Sequence, residues 1–184
     1  MDRQQALDLL ESHMRAENLR KHCLATEAVM RALAERLDEP VDMWGIAGLL
    51  HDLDYEETAD NPSEHGLKTA VILADSDLPA EVINAIKAHN AEVLGLERRS
   101  KLDFALTCAE SITGMVIATA LVHPDKRLKS VKPKSILKRM KQKDFARRVN
   151  REQIGLCEEI GVDLADFADL SLRAMQGISD ELGL

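Results

Sequence analysis

Apolar residues recur every three or four positions along most of the chain, which is the period of amphipathic α-helices. Residues 18–37 show this clearly, with inward positions at Leu19, Cys23, Thr26, Met30, Leu33 and Leu37. No segment alternates between apolar and polar residues with a period of two, the pattern of half-buried strands. The sequence therefore predicts an all-α fold, a bundle of about eight or nine helices.

Capping residues and prolines set the predicted helix boundaries. Asp2 and Asn18 are suited to cap the first two helices, and Pro62 and Pro79 each fit a first helical turn. The stretch "SKLD", which begins at Ser100, resembles a capping box. In approximate bounds, the predicted helices cover residues 2–14, 18–37, 42–52, 62–75, 79–90, 100–122, 133–143, 144–160 and 163–182.

Composition narrows the class of protein. With 184 residues, 45% of them hydrophobic, the chain is long enough for one domain with a sizeable core. A net charge of -8 argues against general nucleic-acid binding. The three cysteines, Cys23, Cys108 and Cys157, form no C-x-x-C pair, so no disulfide framework or zinc ribbon is expected. Because the start "MDRQQALDLL" also lacks an apolar signal stretch, a cytoplasmic protein is expected.

One predicted helix has about the length and composition of a membrane span. Between Phe104 and Val122 the only charged residue is Glu110. The segment is rich in Ala, Thr, Ser and Gly and carries this acid at its middle, which favours a buried core helix over a bilayer span. No membrane association is expected.

Basic residues are concentrated near the C-terminal end. Half of the 24 lysines and arginines lie between Lys126 and Arg151. We therefore divide the expected single domain, residues 1–184, into a core of about 1–125 and a basic helical extension of about 126–184. Such a run is either a set of solvated helix faces or a rim that attracts phosphate to a site.

Six residues of metal-ligand type fall on faces that the helical period predicts to be buried. They are His22, His51, Asp52, His65, His89 and Glu110. Each histidine alone fits a core histidine with satisfied hydrogen bonds, and Glu110 alone could pair with a buried arginine. Together they indicate a metal site, because a buried carboxylate must be paired or bound to a cation. An imidazole and carboxylate set suits one or two ions of Mn, Fe, Co, Ni or Zn.

The order of these residues resembles the HD superfamily of helical, metal-dependent phosphohydrolases. The resemblance rests on His22, the "HD" doublet at 51–52 and the acid at 110, and on "HDLDYEE", "PSEHG", "AESITG" and "VKPKSILKRMKQKDFARRVNRE". The last four stretches are similar to those of a small group of predicted HD hydrolases. The resemblance implies a single HD-type domain over residues 1–184.

The resemblance also implies roles for the site residues. His22, His51, Asp52 and Glu110 would hold one metal; Asp52, His65 and His89 would hold a second and form the catalytic group. The acid that matches Glu110 is usually Asp in the family, so the longer side chain either shifts the site or weakens metal binding. Lys68 and Asn90 are candidate substrate-binding residues, although a snorkelling lysine and local capping are the simpler interpretations. Asp54, beside the doublet, could orient a ligand or cap a turn.

The expected function is hydrolysis of a small anionic phosphoester, such as a nucleotide, by metal-activated water. Two alternatives stay open. One is a di-iron, oxygen-dependent oxygenase with the same fold and ligand set. The other is a degenerate, non-catalytic HD domain that binds a partner. The sequence predicts no oligomeric state.

Overall fold

The computed structural model describes residues 1–184 and contains helices but no strand, which confirms the all-α prediction. Nine α-helices have five or more residues, in agreement with the expected number. The α-helices are α1 (Arg3–His13), α2 (Glu17–Leu37), α3 (Val41–Leu50), α4 (Tyr55–Thr58), α5 (Leu67–Ile72), α6 (Ala80–Ala88), α7 (Ala91–Leu94), α8 (Lys101–Leu121), α9 (Pro133–Met140), α10 (Arg151–Gly155), α11 (Leu164–Gly177) and α12 (Ser179–Leu182). Two short 3-10 helices cover Leu128–Ser130 and Leu156–Ile160.

Two of the predicted caps are present and one is not. Asp2 and Ser100 form capping boxes with Gln5 and Asp103. The prediction that Asn18 caps α2 was wrong, because this helix begins at Glu17 with Ala16 at the cap position. A distant side chain serves instead: the Glu56 carboxylate accepts the backbone N–H groups of Arg15 and Ala16.

The helix predicted over residues 62–75 is shorter in the structure. Residues 62–66 form turns, and α5 begins only at Leu67. The start of α5 is held by Asp54, whose Oδ2 accepts the N–H groups of Gly66 and Thr69 at 2.8 and 2.9 Å. A carboxylate from another segment therefore sets this boundary.

Close packing of α3 on α2 places the "HD" doublet. From Trp44 to Leu50 every residue of α3 is buried. A Cβ at Gly48 would lie 3.0 Å from the backbone N of Glu27, so only glycine allows this approach of α3 to α2 without a shift. The contact brings the end of α3 beside the turn of α2 that carries His22.

Helix α8 is the central core element. It packs against α2, α3 and α6 and against most of the C-terminal helices. It is the one helix long and apolar enough to cross a membrane, but 67% of its most apolar window is buried inside the protein. This burial is typical of a core helix in a soluble protein.

The C-terminal helices share the same hydrophobic core. Leu128, Ile136, Ile154 and Phe167 belong to one buried cluster with residues of α2, α3 and α8. The helix predicted over residues 144–160 is only partly present, because residues 141–150 form a loop ahead of α10. This loop lies beside the site described next.

Candidate metal centre

His51 ends the apolar helix α3 and is completely buried. Its Nδ1 lies 2.8 Å from the carbonyl oxygen of Gly48. Since a carbonyl only accepts, Nδ1 carries the proton and Nε2 presents a lone pair. That Nε2 atom is buried without any hydrogen-bond partner. A buried nitrogen left unpaired is costly, so its position points to a ligand that is not a protein atom.

Four imidazoles converge on the Asp52 carboxylate. The Nε2 atoms of His51, His65 and His89 lie 3.4, 3.3 and 3.5 Å from Asp52 Oδ1, and Nε2 of His22 lies 3.6 Å from Oδ2. The Nε2 atoms of His65 and His89 are 2.8 Å apart. Five of the six residues proposed as metal ligands are therefore brought together by α2, the end of α3, the turn before α5 and the end of α6.

The other nitrogen of each imidazole is held by an oxygen. Nδ1 of His65 bonds to Asp54 Oδ1 at 2.8 Å, and Nδ1 of His89 bonds to the carbonyl of Ile86. Nδ1 of His22 lies 3.1 Å from the Thr113 hydroxyl, which itself donates to the carbonyl of Glu110. The Thr113 oxygen therefore accepts from His22. Anchoring through Nδ1 leaves Nε2 as the metal-binding atom, which is the usual arrangement around metal-bound histidines.

The ligand atoms form two groups that share Asp52. The first triad is His22, His51 and Asp52, and the second triad is Asp52, His65 and His89; within each, the ligand atoms lie within 4.8 Å of one another. Metal–nitrogen bonds are about 2.0–2.1 Å long, so two ligands of one ion are about 3.0 Å apart in octahedral and about 3.4 Å apart in tetrahedral geometry. The four distances from an imidazole Nε2 to Asp52, 3.3 to 3.6 Å, and the distance of 2.8 Å between His65 and His89 are close to these spacings. The side chains present therefore fit one or two divalent ions.

The electrostatics of the cluster favour a cation. Burial lowers the pKa of His51 to about 3, so this imidazole stays neutral and can act as a ligand. Burial opposes the charge on Asp52, but the imidazoles around it hold the pKa of this carboxyl well below its usual range. Burial also opposes a charge on His65, yet hydrogen bonds to Asp52 and Asp54 raise its pKa to about 10. In the metal-free protein a proton on His65 thus supplies the positive charge that an ion would bring.

Glu110 lies next to the cluster but belongs to neither triad. It projects from α8 into a cleft of about 190 Å³ that His22 also lines. Its Oε1 accepts a hydrogen bond from Ser111 at 2.9 Å, and its desolvated surroundings raise the pKa of its carboxyl. Its role as a ligand stays a prediction.

The two candidate substrate-binding residues have partners within the protein. Lys68 of α5 forms an ion pair at 2.8 Å with Glu64, which lies in the turn before this helix. Asn90 donates from Nδ2 to the carbonyls of Pro62 and His65 at 2.8 and 3.1 Å. Asn90 therefore supports the turn that carries His65, and substrate binding by either residue stays a prediction.

Two supporting residues had not been identified from the sequence. Thr113 orients His22, and its position one helical turn after Glu110 is the only local signal for this role. Arg98 donates to the carbonyl of His89 at 3.3 Å and to Thr107 Oγ1 at 2.8 Å, while its guanidinium also pairs with Glu92. It fixes the end of α6 that carries His89, and nothing in its sequence neighbourhood indicates this.

Comparison with known proteins gives one match. A family model described as HD domain matches residues 19–166, a range that contains all six proposed ligands. No curated protein and no solved structure matches the chain. HD domains bind divalent metals and are typical of a superfamily of metal-dependent phosphohydrolases, in agreement with the His and Asp cluster.

Proposed function

The chain belongs to the HD-domain family, and we propose that it is a metal-dependent phosphohydrolase that acts on a small phosphoester. The observation that carries this proposal is the pair of triads that share the buried Asp52. Hydrolytic two-metal sites hold two ions close together, and Asp52 would be the carboxylate that both triads supply to such a site. A single ion in either triad would serve the same class of reaction.

The residues have distinct tasks in this proposal. The first triad with Glu110 would hold one ion, and the second triad would hold the other. The bound metal would lower the pKa of a water molecule and would place positive charge beside the phosphoryl oxygens. Asp54 holds the proton of His65 on Nδ1 and so keeps Nε2 directed at the centre. Gly48 and Ile86 do the same for His51 and His89 through their carbonyls.

Exposure of the side chains defines the direction of approach. His51 and His89 are buried, whereas 23% of the His22 side chain and 14% of the His65 side chain is exposed. The substrate would therefore reach the centre from the side of His22 and His65. Apolar residues of α3 and α6 close the opposite side and exclude water there.

The test begins with the protein purified without chelator. Elemental analysis identifies the metal, and a panel of phosphoesters is then assayed with that metal. His51→Ala and Asp52→Ala are expected to lose metal and to lower the hydrolysis rate about 100-fold or more. His123→Ala is the matched control, because this histidine belongs to neither triad and its side chain, 41% exposed, pairs only with Asp125.

Two results would contradict the proposal. One is wild-type activity in either ligand variant. The other is a protein with tightly bound iron that consumes oxygen and hydrolyses no ester, which would identify oxygenase chemistry instead. Loss of activity in the two ligand variants together with full activity in His123→Ala supports it.

A further inference from the structure

The loop of residues 141–150 has a defined shape that a single side chain maintains. The guanidinium of Arg151 donates hydrogen bonds to carbonyls on both sides of the turn. The acceptors are Met140, Gln142, Phe145, Ala146 and Val149. Since one rigid, planar group satisfies five carbonyls, it fixes the path of the backbone between α9 and α10.

This loop packs directly on α8 beside Glu110. A Cβ at Gly114 would lie 3.1 Å from Val149 Cγ2, so the absence of a side chain at Gly114 permits the close approach. Just after the loop, Gln153 Oε1 lies 3.0 Å from the Ser111 hydroxyl oxygen. These contacts make the C-terminal extension one wall of the cleft at the metal centre.

Arg148 is the one charged side chain that the loop contributes to this cleft. It lines the cleft together with His22 and Glu110. Within the protein Arg148 forms neither an ion pair nor a hydrogen bond, whereas the neighbouring Arg147 pairs with Asp144 at 2.9 Å. All five N–H groups of the Arg148 guanidinium are therefore available to a ligand.

The cleft itself is small and polar. Its volume is about 190 Å³, and Val149 is the single hydrophobic side chain among its lining residues. Sites for drug-sized ligands are larger, about 300–1,000 Å³, and mostly apolar. No aromatic side chain of the Phe, Tyr or Trp type lines this cleft, so it offers no such surface on which a nucleobase would stack.

We propose that Arg148 binds the phosphate group of the substrate at the mouth of the metal centre, and that the substrate is a small, polar phosphomonoester. The planar guanidinium matches two phosphate oxygens with parallel hydrogen bonds, and a monoester presents three such oxygens. The high density of positive charge in residues 126–151 raises the local concentration of this anion in a protein whose net charge is -8. The inference rests on the proposed function for the nature of the substrate, but phosphate binding by Arg148 is measurable without any reaction.

The first experiment measures the binding of inorganic phosphate by calorimetry. Wild type is compared with Arg148→Gln, Arg148→Lys and the adjacent control Arg147→Gln, all purified without chelator. Loss of a bidentate, charge-assisted contact is expected to weaken phosphate binding about 10- to 100-fold in Arg148→Gln. Arg148→Lys keeps the charge but loses the two parallel N–H donors, so its phosphate affinity lies between those of wild type and Arg148→Gln. Arg147→Gln binds phosphate as wild type does. Thermal unfolding is the same in wild type and both Arg148 variants, because Arg148 makes no internal polar contact.

The second experiment uses an ester that the wild type hydrolyses. Arg148→Gln raises KM for a small sugar or polyol phosphate by a similar factor to its loss of phosphate affinity. The wild-type kcat/KM is higher for that ester than for a nucleoside monophosphate. A preference for the nucleotide would overturn the substrate class.

The outcomes separate this inference from the proposed function. Arg148 is ruled out as the phosphate-binding residue if wild type binds no phosphate, if Arg148→Gln binds it unchanged, or if Arg147→Gln loses as much. Where no ester is hydrolysed but Arg148→Gln alone loses phosphate, the proposed function fails and the role of Arg148 stands. Where wild type and Arg148→Gln hydrolyse esters with the same KM, the proposed function stands and the role of Arg148 fails.

Discussion

Replacing Asp54 by asparagine tests how the second triad is oriented. In the structure one carboxylate oxygen accepts from His65 Nδ1 at 2.8 Å, and the other accepts the N–H groups of Gly66 and Thr69. An amide has only one accepting oxygen. With that oxygen on the two backbone N–H groups, the NH₂ group of the substituted side chain faces His65 Nδ1. Nδ1 then accepts, the proton moves to Nε2, and Nε2 no longer presents a lone pair to an ion.

The expected magnitude follows from this change. Loss of a residue that orients a metal-bound histidine lowers affinity about 10- to 100-fold, or about 1.4–2.7 kcal/mol. The direct effect falls on the second triad, because the first triad makes no hydrogen bond with Asp54. The Asp54→Asn variant should therefore bind the ion of the second triad much more weakly, while the affinity for the other ion should change only through the shared Asp52.

Two measurements check the prediction. Titration against a chromophoric chelator gives the number of ions and the affinity of each. Long-range ¹H–¹⁵N spectra of the zinc-loaded proteins show which nitrogen of His65 carries the proton. Thr69→Val is the matched control, since it removes the hydrogen bond from Asp54 N to Thr69 Oγ1 at 3.1 Å and leaves the carboxylate–imidazole contact intact. It should lower the free energy of unfolding by about 1 kcal/mol without affecting the metal.

Either of two findings would refute the reasoning. Wild-type affinity for both ions in Asp54→Asn would show that Asp54 does not set the orientation of His65. An equal loss of metal in Thr69→Val would show that the turn, not the tautomer, determines binding.

Three further predictions concern the cation, Glu110 and the thiols. Excess EDTA should lower the midpoint of thermal unfolding by roughly 5–10 °C where the ion was present at about 100 times its Kd; an unchanged midpoint counts heavily against a filled site. Glu110→Gln should weaken binding to the first triad about 10- to 100-fold in equilibrium dialysis, since it removes a carboxylate beside His22; equal affinity would show that Glu110 is no ligand. Burial raises the pKa of all three thiols, that of Cys157 to about 12, so the folded protein at pH 8 should resist a thiol reagent that labels three thiols after unfolding; rapid labelling of the folded chain would contradict this.

Periodicity was enough to place most of the helices and to select the candidate ligands. The inward faces of the predicted helices carry His22 and His89, and the apolar run before His51 ends in the buried doublet. A buried face allows few orientations of a helix, so residues of polar type on several such faces meet in the interior. The selection therefore relied on a strong physical signal.

Features that depend on contacts between distant segments had no such signal. The loop of residues 141–150 consists largely of helix-forming residue types, but these residues do not form a helix. Several of their carbonyls instead accept hydrogen bonds from the Arg151 guanidinium. Thr113 and His22 are 91 positions apart. The start of α2 depends on Glu56, which follows it by about forty residues. Only the folded arrangement reveals these partners.

In the proposed two-ion centre, the sharing of Asp52 has a thermodynamic consequence for how the protein would bind metal. An ion in one triad would draw on the charge of the carboxylate that the second ion needs, while it would also fix this side chain for the second ion. The two occupancies are therefore linked, and by reciprocity each changes the affinity of the other by the same factor. The fraction of fully loaded protein then responds to the free metal concentration differently from that of a protein with two independent sites, and the half-loaded form has a population of its own.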